Sequence, residues 1–116
     1  MVAMKVLMVC LGNICRSPLA EGIMRHKVVQ NQLDWTIDSA GTGSWHVGEG
    51  PDHRSVSTAR RHGIDISTQR ARKFQAADLD LFDLIYAMDS SNYRDILKHA
   101  VTKEQEDKVK MIMNEV

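Results

Sequence analysis

Apolar residues in this 116-residue chain fall into short solid runs separated by stretches of near-helical spacing. Residues 5–10 (KVLMVC) are almost wholly apolar, as expected of a strand buried on both faces in a parallel sheet. Ser17-Pro18 then signals a helix start, with Ser17 as N-cap and Pro18 at the first helical position. Leu19, Ile23, Met24 and Val28 recur at near-helical spacing and predict a helix running to about Gln30. Residues 35–40 (WTIDSA) read as a second strand, and four glycines and a proline over 41–51 predict a loop. Residues 55–62 predict a short helix closed by Gly63 at its C′ position. The stretch 65–73 is polar and irregular, and 76–81 predicts a helical turn. A third strand is expected over 82–88 and a helix over 90–99, opened by Asp89 or Ser90. A fourth strand is expected over 108–113 (KVKMIM).

Strands that alternate with helices imply an α/β domain with a mainly parallel sheet. Neither repeats nor an internal linker divide the chain, so residues 1–116 read as one domain. A parallel sheet needs helices on both faces. No helical pattern follows the fourth strand, so part of one face is expected to lack cover, as in a domain truncated at its C-terminus. Such a face could drive association.

Lysine plus arginine and aspartate plus glutamate balance at 15 each, which argues against a broad basic face for nucleic acid. Polybasic clusters for a membrane surface are also missing. No apolar run approaches a membrane span, and no small-residue cleavage site follows the apolar N-terminus, so the cytosol is the expected compartment. The two cysteines, Cys10 and Cys15, are too few for a disulfide framework and are not spaced C-x-x-C. The five histidines show no H-x-x-x-H pairing, which argues against a structural zinc site.

The stretch 9–18, VCLGNICRSP, joins the first strand to the first helix. Strand, short loop and helix present backbone N–H groups to an anion, and the helix N-terminus adds partial positive charge. Successive loop amides from Leu11 through Gly12, Asn13, Ile14 and Cys15 can form a concave nest. Gly12 allows close backbone approach or a positive φ. Arg16 adds a planar fork for two oxygens of a phosphate. The Walker pattern G-x-x-x-x-G-K-[ST] is absent. Cys10, at the strand end, can point its sulfur into the nest, where the same donors would favour a thiolate placed for in-line attack on phosphorus. Ser17 can donate a hydrogen bond to that sulfur. Taken alone, Cys10 also suits a buried small hydrophobe. The full string between a buried strand and a helix favours the chemical reading.

This stretch resembles the active-site loop of the low-molecular-weight protein tyrosine phosphatases. The resemblance continues through DSAGT (38–42), RRHGID (60–65) and MDSSN (88–92), and so covers the whole chain. It implies a flavodoxin-like three-layer fold with a four-stranded parallel sheet. The expected cofactors and metals are none. The implied reaction is phosphomonoester hydrolysis, with phosphotyrosine in proteins as the leading substrate and small aryl phosphates as others. Cys10 would form a cysteinyl-phosphate that water hydrolyses, with the amides of 11–16 and Arg16 holding the phosphoryl oxygens. The resemblance also implies that Asn13, Ser39 and His62 hydrogen-bond together to hold the loop, and that Trp45 contacts the substrate ring. Cys15 would form a disulfide with Cys10 on oxidation, protecting it.

The family's general acid, an aspartate of a D-P-[YF] loop, has no counterpart here, because Pro18 and Pro51 are the only prolines and neither follows aspartate. That loop and a final helix are therefore expected beyond Val116, and the 116 residues are expected to turn over poorly. Of Asp52, Asp83 and Asp89, the last is expected nearest the pocket, with a helix cap as its ordinary role. Two other functions compete. A thiol-dependent arsenate reductase needs cysteines downstream of Cys15, and there are none. A non-catalytic phosphate-binding module has no need of a thiol beneath the phosphate. A flavin-binding domain rests on fold analogy alone.

Overall fold

The computed structural model describes residues 3–115, so the outermost ends of the domain expected over 1–116 lie outside the described residues. In chain order the elements are β1 (Met4–Cys10), α1 (Arg16–Gln30), β2 (Trp35–Gly41), α2 (His53–Arg61) and α3 (Asp78–Leu81). Then come β3 (Leu84–Ala87), α4 (Ser90–Leu97), α5 (Lys103–Asp107), β4 (Val109–Met111) and a 3₁₀ turn, Ile112–Glu115. The strands form one parallel sheet in the order β2-β1-β3-β4. The expected α/β class and four-stranded parallel sheet are what the chain adopts.

β1 is central, and Val6 to Cys10 are all buried, which is why its sequence shows no polar alternation. Leu7 and Val9 face Phe74, Leu79, Ile85, Ile96 and Val109 on one side. Val6 and Met8 face Val28, Ile37, Met24 and Ile112 on the other. Because β2 and β3 flank β1 on opposite sides, the chain leaves β1 at the point where strand order reverses. That is where an open α/β sheet offers a crevice.

Four local expectations are corrected. Helix α1 begins at Arg16 with Cys15 at its N-cap position, so Ser17 lies inside the first turn and is no cap. Pro18 is tolerated there because first-turn amides have no intrahelical acceptor. β3 and β4 are shorter than 82–88 and 108–113. Phe82 closes α3, and Ile112 enters the 3₁₀ turn. The polar helix α5 had no apolar periodicity to reveal it. Its signal was Thr102, whose Oγ1 accepts from the Gln105 amide at 3.1 Å, while Gln105 Oε1 accepts from the Val101 amide at 2.7 Å.

On the α1 side, an apolar groove of about 430 Å³ runs between Leu19, Ala20, Ile23 and Met24 of the helix and Ile112. Ile23 is 47% exposed there.

Leu7 has no solvent exposure and sits on the central strand. Leu7→Ala should destabilise the domain by about 2–5 kcal/mol through lost transfer energy and a residual cavity. Urea unfolding should show a lower midpoint. An unchanged midpoint would mean that this face can collapse around the gap.

Candidate active site

Residues 11–15 link β1 to α1 in a tight loop. The residue that takes a left-handed conformation is Asn13, with φ of 59°, and not Gly12. Asparagine tolerates that region better than most L-residues. The loop's carbonyls turn outward. Cys10 O accepts from the Thr42 amide at 2.9 Å, Leu11 O from Gly43 at 2.8 Å and Ile14 O from Asp52 at 2.7 Å. Gly41 allows β2 to end hard against this loop, since a Cβ there would stand 2.7 Å from Leu11 O. Carbonyls held outward leave the loop amides facing inward, beside the first-turn amides of α1. Such a loop has the form of an anion nest at a helix N-terminus.

At its floor lies the buried Cys10 sulfur. The Asn13 amide donates to Sγ at 3.2 Å, and Ser17 Oγ is 3.0 Å away. Asn13 Nδ2 donates to Ser17 Oγ at 2.8 Å, so the serine's own proton is free to point at the sulfur. Ser17 Oγ thus stands within hydrogen-bond distance of the Cys10 sulfur.

Asn13 is 2% exposed and uses its whole amide. Beyond Ser17, its Nδ2 donates to Ser39 Oγ at 2.9 Å, and its Oδ1 accepts from the Arg72 amide at 3.0 Å. Ser39 passes its proton to Glu21 Oε1 at 2.6 Å, and Glu21 Oε2 meets Arg25 at 3.0 Å. The chain Glu21–Ser39–Asn13–Ser17–Cys10 is continuous. Burial raises the Glu21 carboxyl above the usual glutamate range, against the Ser39 hydrogen bond and the Arg25 charge.

His62 is not part of this network. It is the exposed C-cap of α2, where its amide donates to Ala59 O at 2.9 Å. The partners that the sequence reading missed are Glu21 and Arg72. Arg72 also binds Asp38 at 3.2 Å and Asp78 through both terminal nitrogens, at 3.1 and 3.2 Å. Glu21 had left one signal, an acid one turn beyond Ser17 on the buried side of α1. Arg72 had none in its polar surroundings.

Arg16 Nη1 meets Asp89 Oδ2 at 2.8 Å above the loop. Asp89 also caps α4 by accepting from the Asn92 amide at 2.9 Å. The Arg16 hydrogen bond, then the α4 amides, hold its carboxyl below the usual aspartate range. An acid so engaged is a poor proton donor, and its cap role stands. Asp52 is likewise the N-cap of α2 and bound to Arg54, which lowers its proton affinity. Asp83 accepts from the Lys5 amide at 2.8 Å, at the end of β1 away from the loop.

A pocket of about 260 Å³ opens over Cys10, lined by Leu11, Gly12, Ile14, Cys15, Arg16, Trp45 and His46. Trp45 stands at its rim, 72% exposed. Leu11, Ile14 and Trp45 make the wall apolar above a polar floor.

The sequence pattern described as low molecular weight phosphotyrosine protein phosphatase matches residues 5–115. The Sus scrofa low molecular weight phosphotyrosine protein phosphatase is 50% identical over 97 residues, 82% of this chain and 61% of its own length. A protein tyrosine phosphatase from Entamoeba histolytica superposes with a TM-score of 0.91 at 35% identity, over 96% of this chain and 71% of that one. A Drosophila arginine phosphatase superposes with a TM-score of 0.89 at 40% identity, over 96% and 72%. The chain spans between 58% and 70% of the length of the curated relatives it matches.

The buried carboxyl of Glu21 has a testable consequence. Its raised proton affinity means that the folded state keeps a proton that the unfolded chain releases as pH climbs through the glutamate range. Its contribution to stability is therefore fullest in acid and is lost as pH rises. Glu21→Gln keeps an acceptor for Ser39 and does not titrate. The stability of E21Q relative to wild type should rise from acid to neutral pH in urea midpoints. A pH-independent difference would refute the shift.

Proposed function

The chain belongs to the low-molecular-weight phosphotyrosine protein phosphatase family, and from that premise we propose that it hydrolyses phosphomonoesters through a cysteinyl-phosphate on Cys10. The observation that carries this reading is the Cys10 sulfur, held by Ser17 and the Asn13 amide at the floor of an inward-facing amide nest. A phosphoryl group seated in the nest would place its phosphorus above Sγ. The amides of 11–16 would hold the three equatorial oxygens, with Arg16 swinging from Asp89 to complete the clamp. Sγ attacks, the ester oxygen leaves opposite, and water then attacks the phosphocysteine. Ser17 donates to the departing thiolate in the second step.

The substrate we propose is phosphotyrosine in proteins, with small aryl phosphates as model substrates. Leu11, Ile14 and Trp45 offer an apolar wall to a ring. The arginine phosphatase among the similar structures makes phosphoarginine the rival to test, but a guanidinium would meet no carboxylate lining this pocket. Arsenate reduction would need thiols downstream of Cys15, and arsenate-dependent thiol oxidation would bring that reading back. A binding-only module leaves the oriented thiol unexplained. Cys15 lines the same pocket as Cys10, which supports its proposed role as disulfide partner under peroxide. No helix among the described residues is long and apolar enough to cross a membrane, and the cytosol is the proposed compartment.

Cys10→Ser should abolish turnover of an aryl phosphate, and denaturing mass spectrometry of wild type quenched in acid should show a phosphate adduct on Cys10. Arg16→Lys should lower kcat by about 10²–10³-fold, because a point charge replaces a two-oxygen fork. Turnover in C10S would overturn the proposal. Faster hydrolysis of phosphoarginine than phosphotyrosine peptides would move the substrate class. After peroxide and thiol rescue, Cys15→Ser should recover less activity than wild type, and equal recovery would remove its protective role.

A further inference from the structure

Arg72, in the segment before α3, holds the nucleophile loop from behind with its backbone. Its amide donates to Asn13 Oδ1 at 3.0 Å, and its carbonyl accepts from the Gly41 amide at 2.8 Å. A backbone N–H can only donate. The Asn13 side chain therefore turns its oxygen to Arg72 and its N–H groups to Ser17 and Ser39. Turned over, the same amide would take the Ser17 proton for its own oxygen. None would then be left for the Cys10 sulfur, 3.0 Å from Ser17 Oγ. The Arg72 peptide thus decides which way the Asn13 amide faces.

The Arg72 side chain in turn fixes that peptide. Its guanidinium spans two elements. Nε donates to Asp38 Oδ2 on β2 at 3.2 Å, and the two terminal nitrogens donate to both oxygens of Asp78, the first residue of α3. The Asp78 side chain is buried and also accepts from the Gln75 amide at 2.8 Å, so the fork meets a carboxylate that is itself held. Two N–H···O bonds to one carboxylate fix position as well as charge. Beyond Arg72, the Phe74 amide donates to Gly41 O at 2.7 Å, where β2 ends against the loop. The backbone around Arg72 is therefore tied to both β2 and α3.

We propose that Arg72 is a positioning residue for the reaction. Its ion pairs with Asp38 and Asp78 hold the backbone amide that orients Asn13, and through Asn13 the Ser17 hydroxyl. The proposal rests on the phosphatase reading above, in which Ser17 donates to the thiolate that departs in the second step. Arg72 is not among the residues lining the pocket over Cys10, so it acts through Asn13 and leaves phosphate binding to the loop amides and Arg16. Its loss falls on breakdown of the phosphocysteine. A slower second step lowers kcat, does not raise KM, and lets the phosphocysteine accumulate.

The test is a double-mutant cycle on the turnover of dinitrophenyl phosphate. Arg72→Met should lower kcat by about 10–10²-fold without raising KM, as misplacement from outside the reacting centre does. Acid-quenched mass spectrometry should find more phosphocysteine at steady state than in wild type. Arg72→Lys keeps one charge for one carboxylate and should recover part of the loss. Asn13→Gly keeps the positive φ and removes the amide. In that background Arg72→Met should cost no more than about twofold further, because its route to Ser17 is already gone. Equal losses in both backgrounds are the mark of a residue that only stabilises the fold, and they would overturn the proposal. An R72M enzyme with wild-type kcat would do the same. Asp38→Asn removes one anchor of the guanidinium at a half-exposed position and should act in the same direction, more weakly. Where circular dichroism shows R72M unfolded, D38N in the two Asn13 backgrounds decides by the same comparison. Cys10-dependent turnover in wild type with additive losses sinks Arg72 alone. No such turnover sinks the phosphatase reading and the positioning role with it.

Discussion

The side-chain amide of Asn13 is the interaction on which the pocket depends. It has two N–H groups and one oxygen, and each is used: Ser17 and Ser39 receive, and the Arg72 amide gives. Those three partners come from α1, β2 and the segment before α3. One buried side chain thereby fixes a left-handed turn, aims the Ser17 hydroxyl at the Cys10 sulfur and ties the loop to the sheet. An unmade hydrogen bond here would leave a buried polar group unsatisfied, which costs about 1–3 kcal/mol.

Two carboxylates near the loop show how environment separates roles. Glu21, desolvated beneath Ser39, is pushed toward its protonated form and acts as terminal acceptor of the chain. Asp89, half-exposed and paired with Arg16, is pulled toward its ionised form. An exposed pair of this kind contributes only about 0–1 kcal/mol, so a bound phosphate can displace it at small cost. Asp89 thus holds the guanidinium beside the loop without locking it there.

The sheet supplies what the loop cannot. β1 is paired on both sides and buried on both faces, so the Cys10 backbone is fixed between two neighbouring strands. The strand order opens the crevice at its carboxyl end. The α1 face carries an apolar groove beside Ile112.

Much of this was legible in the sequence because it is local. Solid apolar runs marked the strands, Gly63 marked a helix end, and the stretch 9–18 brought thiol, amides, guanidinium and hydroxyl together within eight residues of backbone. Helix α5 was missed because a solvated polar helix carries no apolar period. Ser17 was misread as a cap because serine before proline has two uses, and only the position of the sulfur decides between them. Contacts across the fold were beyond reach. Asn13 meets Ser39 across 26 residues and Arg72 across 59, and Arg16 meets Asp89 across 73. No periodicity or spacing encodes such pairs. His62 sat in a recognisable motif yet faces solvent, while His46 sat in an unremarkable loop yet lies on the nest. The sequence by itself determined the fold class, most of the elements and the close spacing of Cys10, Arg16 and Ser17, because these follow from local patterning and from groups close along the backbone. The tertiary structure alone decided which distant side chains hold that loop and face its pocket, because sheet register and loop packing bring them together.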